Sequence, residues 1–110
     1  MIDFTKSEKQ ELRNLANEAY KVELARELEI LRSAFTSWQN GKIGVFELDE
    51  KIHEYHSGPH KQLYVYYQMK NQPEAMIARA LALGLIESNC VPDGIKNKLE
   101  RLVGFFRENG

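Results

Sequence analysis

One cysteine, three prolines and no surplus of either charge are what this chain of 110 residues conspicuously has little of. Cys90 alone cannot close an internal disulfide, and a single thiol suits a reducing compartment. The 15 basic residues are matched by 16 acidic ones, for a net charge of -1. Such a balance offers no concentrated basic surface, so nucleic acid and anionic membranes are disfavoured as partners. No apolar run is long enough for a bilayer, which needs about 20 residues. The longest, Ala75 to Ile86, is interrupted by Arg79. The opening MIDFTKSEKQ has neither the basic nor the apolar region of a signal peptide. Also missing are G-x-S-x-G, the phosphate-binding P-loop and G-x-G-x-x-G, which removes the best-marked hydrolase, nucleotide and dinucleotide classes. The expectation is a soluble, cytoplasmic protein forming a single domain over residues 1–110, large enough for a core of its own.

What is present reads as helix throughout. Thr5 with Glu8 three residues later has the form of a capping box. Apolar residues then follow at Leu12, Leu15, Ala19, Val22, Ala25, Leu28, Leu31, Phe35 and Trp38, always three or four apart, as a buried helical face requires. Neither Pro nor Gly interrupts the run before Asn40-Gly41, a C-cap pair. The predicted helix is roughly 35 residues and about 50 Å long, against a radius of gyration near 13 Å for a compact domain of this size. A short turn, Gly41 to Gly44, leads into Val45, Leu48, Ile52, Tyr55, Pro59, Leu63 and Tyr66, again at helical spacing. This predicts a long antiparallel hairpin whose second helix is kinked at Pro59, because proline lacks the N–H that would bond Tyr55 and crowds that carbonyl; two helices with a break at Ser57-Gly58-Pro59 is the competing description. Trp38 is expected to plug the hairpin turn. Pro73-Glu74 and Pro92-Asp93 open two shorter C-terminal helices. The first of these is rich in alanine and apolar nearly all round, hence central. The fold class is all-α.

Residues 52–67, IHEYHSGPHKQLYVYY, hold all three histidines and four tyrosines. At about 100° per residue, Phe46, Asp49, His53, His56, His60, Tyr64 and Tyr67 share a band beside the apolar stripe, provided the phase survives Pro59. One reading is a metal site. Asp49, His53 and His56, with His60 a turn further on, supply a carboxylate and imidazoles suited to a transition metal such as zinc or iron. Glu50 with His53 also matches the Glu-x-x-His pair of di-iron bundles, although no second pair exists in the chain. The other reading is a structural shoulder, since His and Tyr place an apolar body inward and a polar tip in water. Tyr64, Tyr66 and Tyr67 point in successive directions, so at least one ring is exposed, and clustered surface aromatics suit a protein interface.

The residues Trp38, Gly41, Ile43, Glu47, Leu48, Ile52, His53, His56, Gly58, Leu63 and Tyr66 resemble a group of short bacterial helical proteins, some of them associated with toxin–antitoxin gene pairs. The resemblance covers about half the chain and brings no catalytic residue with it. It implies a bacterial cytosolic protein that acts through a partner. The favoured expectation is therefore a non-catalytic interaction or regulatory protein, homodimeric and without a cofactor, with Tyr64, Tyr66 and Tyr67 at its interface. The alternative is a metal-dependent enzyme using Asp49, His53, His56 and His60.

Overall fold

A computed structural model describes residues 3–68 and 73–109, and all regular structure among them is helical. Helix α1 spans Lys6–Gln39 and α2 spans Val45–Tyr55; a π-helical turn, His56–His60, joins α2 to α3, Lys61–Tyr67. After these come α4, Pro73–Leu83, a 3-10 turn at Ser88–Cys90, and α5, Asp93–Asn109. The class is all-α, as the periodicity predicts. Among the described residues no helix is long and apolar enough to cross a membrane.

The helix ends follow from local chemistry. At the start of α1 the Glu8 N–H donates to the Thr5 hydroxyl at 3.1 Å, and the Thr5 N–H donates to the Glu8 carboxylate at 2.9 Å. Two otherwise orphaned donors are thereby satisfied. At the far end Gly41 adopts φ +75°. There the Lys42 N–H donates to the Ser37 carbonyl at 2.8 Å and the Gly41 N–H to that of Trp38 at 3.0 Å. This Schellman closure needs a left-handed residue, which glycine supplies without a Cβ penalty. Gly84, at φ +72°, ends α4 in the same way, with Leu85 N–H to Ala80 O at 2.9 Å. The α4 helix consequently stops at Leu83, three residues before the apolar run ends at Ile86.

The chain falls into two compact units. One combines the start of α1, up to Tyr20, with α4 and α5. Its core joins Leu12 and Leu15 to Ile77, Ala78 and Leu81 of α4, Val91 of the connector, and Ile95, Leu99 and Val103 of α5. Leu12, Ile77, Ala78 and Leu99 are wholly inaccessible. A polar clasp covers one end of this core. Lys98 Nζ donates to Glu8 Oε1 at 2.7 Å and lies 5.4 Å from the centroid of the Phe4 ring. The Lys98 hydrogen bond, then the Thr5 backbone N–H, hold the Glu8 carboxyl below its ordinary pKa.

The other unit comprises residues 21–68. Within it Tyr67 donates its hydroxyl proton to Glu23 at 2.5 Å, so α3 meets α1 there. Leu48 is the one apolar side chain of this unit that is fully buried among the described residues. The single inward stripe expected along α1 is corrected accordingly. Leu12, Leu15 and Ala19 are buried, but Ala25 is exposed, and Leu28, Phe35 and Trp38 are 45%, 39% and 40% exposed. The reason is arithmetic. A step of three residues turns the face back by about 60°, and a step of four advances it by about 40°. From Ala19 through Val22, Ala25 and Leu28 to Leu31 every step is three. The stripe therefore winds around the helix, and the later residues occupy another face. Trp38, lying on that face, keeps 40% of its surface in water.

The second helical segment also differs in detail. Helical backbone continues through Pro59, with His56, His60 and Lys61 all in right-handed helical dihedrals. The proline is accommodated by the π turn, whose donors and acceptors lie five residues apart, so the chain passes Pro59 without the pairing it cannot make. The Ser57 hydroxyl donates to the His53 carbonyl at 2.8 Å on the way into that turn. The extra residue shifts everything downstream by about 100° relative to an uninterrupted α-helix.

Candidate functional site

That phase shift decides the fate of the histidine band. Asp49 and His53 sit on α2, both exposed, and His56 opens the π turn. His60 closes the turn and stacks on His56, with ring centroids 5.1 Å apart and planes 16° from parallel. The Tyr55 ring, five residues before His60, approaches it at 5.8 Å, the neighbour relation that π spacing creates. The imidazoles of His56 and His60 thus contact each other ring to ring. Among the described residues no three His, Cys, Asp or Glu side chains come together in a group able to hold a metal ion. The convergence expected of Asp49, His53, His56 and His60 is not formed.

The tyrosines of α3 point in successive directions and so meet different surroundings. Tyr64 is 53% exposed. Tyr66 and Tyr67 are half-buried and meet edge to face at 4.8 Å, and the Tyr67 hydroxyl is engaged by Glu23. Tyr67 was expected beside the histidines; the π turn instead carries it toward α1. Of the three residues expected at an interface, Tyr64 is the one presented to solvent.

The concave feature of residues 21–68 lies elsewhere, between the second half of α1 and α2. It is a groove of about 480 Å³. Ile30, Leu31 and Ala34 form its α1 wall, and Ile43, Tyr55 and Pro59 the other. Charge enters only at Glu27, Lys51 and Glu54, and the Ser33 and Ser37 hydroxyls complete the lining. Its volume falls within the ligand-pocket range of roughly 300–1,000 Å³, but one acid on each wall and one lysine are too few and too mixed to build a catalytic constellation. Outside the groove, α1 also carries the half-exposed Leu28, Phe35 and Trp38, and α2 presents Val45 and Phe46 at 57% and 88% exposure. Cys90 is exposed in the 3-10 turn of the other unit, remote in sequence from all of these.

No family model, no curated protein and no solved structure matches the chain.

The residues that sequence periodicity misplaced are Leu28, Phe35 and Trp38, which were assigned to the interior. The signal that separates them is present in the spacing. Steps of three in unbroken succession rotate a stripe, whereas alternating threes and fours hold it still.

Proposed function

We propose that this chain is a non-catalytic helical protein that acts by contact with a protein partner through residues 21–68. The observation that supports this is the distribution of exposed large apolar side chains. Among the described residues all of them except Leu83 and Phe105 belong to this segment: Leu28, Ile30, Phe35, Trp38, Val45, Phe46, Tyr64 and Val65. Exposed large apolar side chains gathered in one segment are the kind of surface that marks interaction sites in soluble proteins. Trp, Tyr and Phe are also the residues that dominate contact energies when a partner covers them.

Two partners suit such a surface: a second copy, giving the homodimer, and an unlike protein. For the latter, a two-gene setting of the toxin–antitoxin kind is the context that the sequence resemblance favours. The reading is tested by placing a photo-crosslinking residue at Phe46, Trp38 or Tyr64 and irradiating cells. A discrete adduct of defined mass is expected from at least one position, and charge substitution at Leu28 or Phe35 should diminish it. No adduct from any of the three positions would refute the reading.

A further inference from the structure

We infer that the partner is a second copy of this chain, docked with the two α1 helices parallel and in register from Leu24 to Trp38. This rests on the protein-contact reading and identifies its partner. Leu24, Leu28, Leu31, Phe35 and Trp38 follow one another by four, three, four and three residues. That alternation is the 3.5-residue repeat whose stripe stays aligned between two supercoiled helices. Leu28 and Phe35 take the a positions of the heptad, and Leu24, Leu31 and Trp38 the d positions. Within one chain the stripe is left partly open: Leu28, Phe35 and Trp38 are 45%, 39% and 40% exposed.

Charge selects the orientation. Glu27 precedes Leu28 at the g position, and Arg32 follows Leu31 at the e position. In a parallel pair each g residue faces the e residue five positions further along the other helix, so Glu27 of each copy meets Arg32 of the other. An antiparallel pair centred on Leu31 brings equivalent edges together and sets Arg32 against Arg32 of the second copy. Within the single chain Arg32 contacts Glu29 at 3.6 Å, with both side chains largely in water at 76% and 68% exposure. Such a pair contributes little and is readily exchanged. Glu27 and Leu31 also line the groove, so a second α1 on this seam borders the groove at one edge. Lys21 occupies the preceding a position, where a polar side chain limits the seam and helps fix its register. A seam of this length suits association in the micromolar range.

The test uses Cys90→Ser as the background and adds Leu28→Cys, Phe35→Cys or Phe46→Cys one at a time. All three positions are exposed, so the fold tolerates the changes. Sedimentation of the wild-type chain at tens of micromolar is expected to show a dimer. Mild oxidation is expected to cross-link the Leu28 and Phe35 variants several-fold faster than the Phe46 variant, because in register each cysteine meets its own copy. Glu27→Arg should weaken self-association, and adding Arg32→Glu should restore it. A dimer that cross-links no faster at 28 and 35 than at 46, or a charge swap without rescue, would overturn the parallel α1 pairing while leaving the contact reading intact. A monomer that cross-links slowly at every position would overturn the second copy as partner. The photo-crosslinked adduct then distinguishes the two failures, since a mass other than twice the chain's keeps the contact reading and no adduct removes it.

Discussion

Leu12→Ala and Leu28→Ala make the same chemical change on the same helix, at positions that sequence periodicity treats alike. Leu12 is wholly inaccessible, in a core with α4 and α5, whereas Leu28 is 45% exposed. Truncating a closed leucine site loses both transfer energy and the packing around the cavity, about 2.7–5 kcal/mol. Against a total stability of about 5–15 kcal/mol this is a large fraction. In a cooperative unit of 60–100 residues each kcal/mol moves the melting temperature by about 4–8 °C. For Leu28 only about half of the roughly 1.5–3 kcal/mol available from full burial is at stake, and no closed cavity forms, so about 1 kcal/mol or less is expected. Urea titration followed by far-ultraviolet circular dichroism measures both, at protein concentrations low enough that self-association contributes nothing. Equal losses would refute the winding stripe on which the fold and the contact surface both depend. Repeating the titration at high concentration should enlarge the cost of Leu28→Ala, because a dimer then adds its own stabilisation.

Glu8→Gln should flatten the acid limb of the stability profile. The Glu8 pKa is lowered in the folded chain by Lys98 and Thr5, so its contribution is present above the ordinary carboxylate value of about 4.3 and is lost as pH falls through the lowered one; urea midpoints from pH 7 to pH 3 measure this, and identical slopes for the two proteins would dismiss the clasp. Pro59→Ala should retain the fold and change stability by less than about 1 kcal/mol, because the π turn already avoids the roughly 3 kcal/mol that proline costs an α-helix; a larger loss would show that the ring itself is needed. His53→Ala and His56→Ala, both at exposed positions, should each cost less than Leu48→Ala, where about 2–5 kcal/mol is typical of a buried leucine. Thermal melts with and without chelator check the last pair, and a chelator that lowers the wild-type melting temperature but not that of the histidine variants would reinstate the metal reading.

Wherever structure is decided within a few residues, the sequence was a good guide. Thr5 and Glu8 start α1 and Gly41 closes it, each through contacts spanning no more than five residues, and α4 begins at Pro73. The α4 helix was expected to be central because it is apolar nearly all round, and Met76, Ile77, Ala78, Ala80 and Leu81 are buried. Apolar spacing on both sides of Pro59 favoured a continuous helix over a break without deciding between them, and the helical backbone does continue. The π turn was not legible. Proline excludes one hydrogen bond, but nothing local reveals whether the backbone answers by bending or by taking an extra residue into the turn. That choice moves Tyr67 from the histidine band to Glu23, and with it the composition of the candidate site. The exposure of Leu28, Phe35 and Trp38 was only half legible: the run of threes shows that the stripe turns to another face, but not whether another element covers that face.

The winding of the stripe explains how one uninterrupted helix can serve two purposes. Leu12 and Leu15 belong to the core shared with α4 and α5, and Ala19 is buried as well. If the following apolar residues had kept to alternating threes and fours from Ala19 onward, they would have remained on that same face of α1. Four successive steps of three instead bring the stripe to another face by Leu31, and the regular alternation begins at Leu24. Small Ala25 lies on the transit between the two faces and is exposed, so the transit itself buries no bulky residue. From Leu24 to Trp38 the stripe keeps a constant face, which is what a long partner helix requires and a compact core does not. The change in spacing, rather than the histidines that first draw the eye, is therefore the feature on which the proposed contact with another chain rests.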